Sequence, residues 1–421
     1  MSWLKKLTPR MVVTGPGKLP SRAVPGQSTD LYWDPFDTEL DASPYDTWRR
    51  MRDEAPVYRN DRHDFWALSR FADVEASHKD PATFSSAHGT VVEMMAEEPP
   101  FTGMMIFMDP PEHTALRQLV SRAFTPRRIA ALEDEIRRIC CELLDPHTGS
   151  GGFDYVEGFA ADLPSRVIST LLGVPLEDQA AQRRVVDRLF HLDPERGMVN
   201  DTSAAASLEL AVYLSELLER RRREPADDLL SALTTAEIRE GGETRRLSDQ
   251  EAVSFGLLLF TAGTETVARL LGNACVVLAQ HPDQRADLAT NPDVIPNAVE
   301  ELLRFEAPSP VQGRWTTREV ELHGTVVPAS SKVLLLTGSA GRDERAYPDP
   351  DRFDVRRRFN HHVSFGYGIH FCVGAALARM EGRIALEETL RRWPEWEVDW
   401  PRARRLHTST VRGWAEVPIE V

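Results

Sequence analysis

A mainly α fold with a minor β region, arranged as one large domain, follows from three features of this 421-residue chain. Apolar residues recur at helical spacing through most of its length, interrupted by short proline-marked turns. One helical segment, from Ser248 to about Gln280, is apolar on most faces at its middle and must cross the interior. Strand signals are few, and no linker breaks the pattern after Leu31.

In chain order, residues 1–30 read as a flexible leader, rich in proline and glycine with little periodicity, and 31–421 as the single domain. Thr125-Pro126 fits an N-cap followed by proline at the first helical position. Leu163 to Leu172 and Leu208 to Arg222 carry apolar residues at helical spacing. Ser248 and Glu251 form a capping box that starts the long helix, about 48 Å at ~1.5 Å per residue. Glu319 to Val327 alternates around His323-Gly324 as a hairpin, and Lys332 to Thr337 reads as a short strand.

Composition removes several function classes. The net charge of -15 argues against a nucleic-acid binder. The arginine run Arg220 to Arg223 ends a helical pattern and reads as its solvated end. Four cysteines in so long a chain make no disulfide framework. Cys140 and Cys141 are adjacent, Cys275 sits in an apolar run, and no CxxC pair exists for zinc, so a reducing cytoplasm fits best. Met1 to Thr8 lacks the apolar run of a signal peptide or anchor. The most apolar stretch, Phe255 to Ala262, is stopped by Glu265 and Arg269, short of the roughly 20 residues a membrane span needs.

The chemistry concentrates in Phe365-Gly366-Tyr367-Gly368-Ile369-His370-Phe371-Cys372-Val373-Gly374. Gly366 and Gly368 permit a tight turn, and Gly374 permits close packing behind it. From Val373 the pattern becomes helical, which puts Cys372 at a helix N-terminus, where free amides and the dipole favour thiolate. A lone glycine-flanked cysteine is more often a buried structural thiol. The full segment, however, resembles the haem-binding signature of the cytochrome P450 family, FGxGxHxCxG, at every fixed position. The resemblance implies that Cys372 ligates the iron of haem b, with Phe365 and Gly366 in the haem-binding loop and the long helix lying over the haem.

Other segments resemble that family in the same order along the chain. Ala262-Gly263-Thr264-Glu265-Thr266 is otherwise an awkward core helix, because glycine costs about 1 kcal/mol against alanine and a carboxylate sits in an apolar stretch. It resembles the oxygen-activating motif (A/G)Gx(D/E)T. By that resemblance Gly263 loosens the helix for dioxygen, the Thr266 hydroxyl switches between backbone and oxygen, and Glu265 relays protons. Glu301 and Arg304 share a helix face and match the ExxR motif, a structural pair whose expected partner is Arg352. His113 and Arg117, at i and i+4, can clamp a carboxylate. They resemble the family's HxxxR contact to a haem propionate, and Arg314 and His370 fall at the other propionate donors. Gly341-Arg342-Asp343 departs from the family, which commonly has Asn before Arg-Asp.

The family resemblance implies a soluble, cytoplasmic, monomeric monooxygenase. One atom of O2 enters a C–H bond or double bond of a small molecule, and the other leaves as water. No GxGxxG follows a strand, so electrons must come from a separate protein, which the resemblance implies is a ferredoxin with its NAD(P)H-dependent ferredoxin reductase. Arg356, Arg357 and Arg358 are either a docking patch for an acidic ferredoxin or a solvated charge run. The stretch Ser85 to Asp109, expected as a lid, holds Met94, Met95, Met104, Met105 and Met108, half of the ten methionines. Methionine adapts to irregular apolar shapes, which points to a sizeable hydrophobic substrate. Asp80 to Leu116 contains no Lys or Arg, which disfavours an anchored carboxylic acid. Met94, Met95, Met104, Ala262, Gly263, Val311 and Thr410 are the expected pocket residues. Two rivals remain: a peroxide-driven peroxygenase, which has less need of Thr266 and Glu265, and a non-catalytic haem sensor or carrier.

Overall fold

The computed structural model describes residues 30–98, 103–193, 197–240 and 243–421. The leader expected over 1–30 lies outside them except for Asp30. Helices dominate, with small sheets at one side.

The main sheet joins β1 (Val57–Asn60), β2 (Phe65–Leu68), β3 (Phe84–Ser85), β4 (Gln312–Thr316) and β5 (Lys332–Leu335) in the order β1-β2-β5-β4-β3. Only β2 and β5 run parallel, with Trp66 opposite Val333. The expected strand over Lys332–Thr337 stops at Leu335, and Thr337 opens a short helix whose first hydroxyl bonds the Ser309 carbonyl. The expected hairpin pairs Val320–Leu322 with Thr325–Val327. His323 and Gly324 turn it at φ 51° and 75°, a left-handed geometry that suits glycine.

The helices that position the site are α1 (Phe71–Lys79), α2 (Glu112–Ala123), α3 (Glu133–Leu144), α4 (Asp162–Leu172), α5 (Leu176–Leu189), α6 (Asp201–Arg223), α7 (Asp249–Gln280), α8 (Ile295–Phe305) and α9 (Ala375–Arg392). The two ends expected from local chemistry form as expected. Thr125 caps a short helix by accepting from the Arg128 amide. Ser248 and Glu251 make the reciprocal capping box of α7.

Helix α7 runs the full 32 residues through the interior. Its first half, with Phe255, Leu257, Leu259 and Phe260, packs into one apolar cluster with α4, α5 and α6. Its second half, with Val267, Leu270, Leu271 and Leu278, joins another with α3, α4, α8 and α9. Truncating one such buried leucine to alanine costs about 2–5 kcal/mol. Ala262 to Thr266 fall between the two clusters. That gap in the packing is where the cavity lies.

Candidate active site

The loop before α9 builds one wall of the cavity. Gly366 and Gly368 have φ 68° and 67°, and a Cβ on Gly368 would come within 2.3 Å of the His78 carbonyl oxygen. The chain therefore turns tightly against α1, and the Cys372 amide closes the loop on the Phe365 carbonyl at 2.9 Å. Arg379 bridges to Glu300 and lies over the Phe365 ring, 4.7 Å from its centroid, which fixes the loop to α8. Gly374 is less constrained than expected, because a Cβ there would meet Cys372 Sγ at an ordinary 3.9 Å.

Helix α9 begins at Ala375, three residues past the thiol. Burial raises the Cys372 thiol above its ordinary value, and the Gly374 amide and the charges of Arg117 and Arg379 only partly offset it. The Gly374 amide at the helix start does favour thiolate, as expected, against the cost of burial. Deprotonation needs a cation at the sulfur, and a bound metal supplies one.

Beside Cys372 stand the four donors expected for propionates. His113 and His370 face each other with ring centroids 4.2 Å apart. Both ring nitrogens of His113, and Nε2 of His370, are buried without a partner. Arg117 donates to the Phe371 carbonyl at 2.5 Å, and Arg314 on β4 donates to the Gly313 carbonyl at 2.7 Å. Burial lowers Arg314 to about 10, His113 to about 4 and His370 to about 2, and neighbouring guanidinium charge lowers both histidines further. Sequence reasoning missed His78, whose Nδ1 lies 3.3 Å from Arg314 and whose Nε2 is also unpartnered. Buried polar groups are normally paired. Unpartnered donors and cations gathered beside a thiol fit a group carrying two carboxylates, as haem does.

The facing wall is α7. Ala262, Gly263, Glu265 and Thr266 line the cavity with Met94, Met104 and Thr410, as expected. Thr266 Oγ1 donates to the Ala262 carbonyl at 2.7 Å. The expected loosening at Gly263 is absent, since α7 is uninterrupted. A Cβ on Gly263 would lie 3.2 Å from Ile168 Cδ1, so the glycine makes room for α4. Glu265 is buried and paired with Arg269 at 2.8 Å. A second carboxyl, Glu381 on α9, also lines the cavity. It has one oxygen without a partner, and burial pushes it up to about 8.

Three expected residues are placed elsewhere. Met95 and Val311 belong to the apolar cluster of Leu31, Trp33 and Trp48 behind the cavity wall, because alternate residues of their segments face opposite ways. Arg352 is exposed and reaches only Asp354 at 4.0 Å. The arginine that meets Glu301 is Arg357, at 3.0 Å. It also donates to the carbonyls of Pro348, Asp349 and Arg352. Glu301 and Arg304 are fully buried and paired at 2.7 Å. In the run Arg356–Arg358, Arg357 is committed inward, while Arg356, paired to Asp287 at 2.6 Å, and Arg358 are exposed.

Residues 62–406 match the family model described as cytochrome P450. The chain is 42% identical over 395 residues to a putative cytochrome P450 123 of Mycobacterium tuberculosis, covering 93% of this chain and 97% of that relative. It is 39% identical over 384 residues to a vitamin D(3) 25-hydroxylase of Pseudonocardia autotrophica, covering 90% and 93%. Among solved structures, CYP109E1 of Bacillus megaterium in complex with testosterone superposes with a TM-score of 0.80 at 32% identity, covering 90% of this chain and 99% of that one. No helix among the described residues is long and apolar enough to cross a membrane.

Proposed function

The chain belongs to the cytochrome P450 family and is a haem-dependent monooxygenase, and from that premise we propose that it hydroxylates or epoxidises a large, neutral, hydrophobic molecule. Residues 31–421 act as one catalytic domain holding haem b, with Cys372 as the ligand to iron. The protein works as a cytoplasmic monomer, with electrons from a ferredoxin and its NAD(P)H-dependent reductase. One observation carries this reading. A single cavity has Cys372 and unpartnered propionate donors on one wall and Thr266 with Glu265 on the other.

When bound, haem supplies an iron that activates dioxygen, with the thiolate pushing electron density toward O–O cleavage. Arg117, His113, Arg314 and His370 would take its carboxylates, and His113 and His370 would gain the partners they lack. The Thr266 hydroxyl donates to Ala262 and can turn to donate into the cavity. Glu265, one residue before it, holds or passes a proton once it leaves Arg269. Two protons and two electrons are consumed as one oxygen atom enters the substrate and one leaves as water.

The neutrality of the substrate is argued from the lining. Arg117, Arg314 and Glu265 are committed to partners within the protein. Most of the rest is apolar, with a few hydroxyls such as Ser203, Ser207 and Thr261, and burial favours the uncharged form of the remaining acid, Glu381. The names of two of the neighbours, with vitamin D(3) and testosterone, agree with a bulky neutral ligand.

The test is the spectrum of the reduced protein under carbon monoxide. A Soret band shifted far to the red is expected, and it should be lost in Cys372→Ser. A band that persists in that variant overturns the ligand assignment.

A further inference from the structure

Glu93 sits in the 3-10 turn Val92–Met94 of the lid and is partly buried. Its carboxyl is where three distant segments meet. Ser409, in the loop before the last strands, donates to Glu93 Oε2 at 2.6 Å. The chain between α5 and α6 packs against the same carboxyl at Gly197 and Met198. Gly197, at φ 67°, brings that backbone close enough that a Cβ would stand 3.3 Å from Glu93 Oε1. Ser409 Oγ also lies 3.9 Å from the Met198 sulfur.

Each of these segments places a residue on the cavity. Met94 follows Glu93, Met198 follows Gly197, and Thr410 follows Ser409, and all three line the cavity. Thr410 is held in turn by its hydroxyl on the Val311 carbonyl at 2.9 Å. The segments share no sheet ladder or helix. A partly buried carboxyl that takes the Ser409 hydroxyl while Gly197 packs against its other oxygen is an expensive way to fill space, which marks the contact as a tie. We propose that Glu93 is a positioning residue that fastens the cavity roof, fixing Met94, Met198 and Thr410 against the substrate and limiting which shapes enter. This inference rests on the reading of the cavity as the substrate site.

Hydrogen bonds of this kind open and close with lid motion, so their loss should appear first in binding rates. The experiment uses the haem-loaded protein and two iron-binding probes, bulky clotrimazole and small imidazole, mixed rapidly and followed by the Soret shift. In Glu93→Ala the clotrimazole association rate should rise roughly tenfold, equivalent to about 1.4 kcal/mol of lost restraint, while the imidazole rate stays within about twofold. Ser409→Ala removes the hydroxyl but leaves the carboxyl packed on Gly197, and should move the same ratio by less. Amide hydrogen exchange should quicken at residues 92–98 and 197–199 in both variants, and stay unchanged in α7. An unchanged clotrimazole-to-imidazole ratio in both variants, or exchange that quickens throughout α7, overturns the proposal. Failure of clotrimazole to shift the Soret band in the unaltered protein would instead sink the underlying reading of the site.

Discussion

Arg269 lies one helical turn beyond Glu265 on α7, and its guanidinium grips the carboxylate through Nη2 at 2.8 Å and Nε at 3.0 Å. The same guanidinium donates to the Trp414 carbonyl, so the pair is anchored to the C-terminal strands. The motif acid is therefore parked on a cation, and its availability for proton transfer depends on how easily Arg269 releases it.

The two partners should fail in different ways. Arg269→Ala leaves a buried carboxylate uncompensated, which costs about 3–5 kcal/mol, and should lower the thermal midpoint sharply. Glu265→Gln keeps an acceptor for Arg269 but leaves its charge uncompensated, so its midpoint should fall by less than that of Arg269→Ala while product formation slows by roughly 10²-fold. Thermal unfolding and turnover measured on both variants check this. Equal stability losses with unchanged turnover would remove Glu265 from the chemistry.

A second contrast lies at Glu301. Arg357 touches this carboxylate and three backbone carbonyls that shape the chain ahead of the cysteine loop, whereas Arg352 is solvent-exposed. Arg357→Ala should destabilise the fold by about 3 kcal/mol or more and reduce haem retention. Arg352→Ala should stay within about 0.5 kcal/mol of the unaltered protein. Haem content after purification and urea unfolding read both effects.

That contrast also marks where sequence reasoning stops. Local chemistry places elements well: the Ser248–Glu251 capping box, the Thr125 cap and the His323-Gly324 turn all depend on near neighbours and all form. Motif spacing likewise brings Cys372, His113, Arg117, Arg314, His370 and Thr266 around one space. Choosing Arg357 over Arg352 needs the path of an irregular segment, which has no period to read. His78 was hidden for the same reason, since only the tight approach of Gly368 to α1 brings it to Arg314. Met95 and Val311 failed because a lid and a strand edge alternate their faces, and a composition count cannot tell Met94 from Met95.

Stability of the haem-free chain should fall in acid through the propionate wall. Burial lowers His78 to about 3 and His113 to about 4, both below the ordinary 6.5 of an unfolded histidine. Between those values the unfolded chain binds more protons than the folded one, so stability rises with pH. It is fully present above about pH 6.5 and is lost as pH falls toward 4. Urea titrations of the haem-free protein from pH 7 to 4.5 should show this slope, and His113→Phe should flatten it. A slope that survives in both His113→Phe and His78→Phe would place the acid sensitivity elsewhere.

Thr266 is the residue whose geometry makes the most specific demand. Its hydroxyl now satisfies the Ala262 carbonyl, so the side chain has two acceptors to choose between once oxygen is bound opposite it. Thr266→Ala removes the donor without leaving a buried polar atom of its own, and the fold should be unaffected. Electrons would still be consumed, but protons would arrive without direction. Product per NAD(P)H should fall by roughly tenfold or more, with hydrogen peroxide making up the difference. Thr266→Ser, which keeps the hydroxyl, should recover most of the coupling. Full coupling in the alanine variant would mean that the proton travels by another route, and Glu381, the other carboxyl on the cavity with a free oxygen, would then be the next to replace.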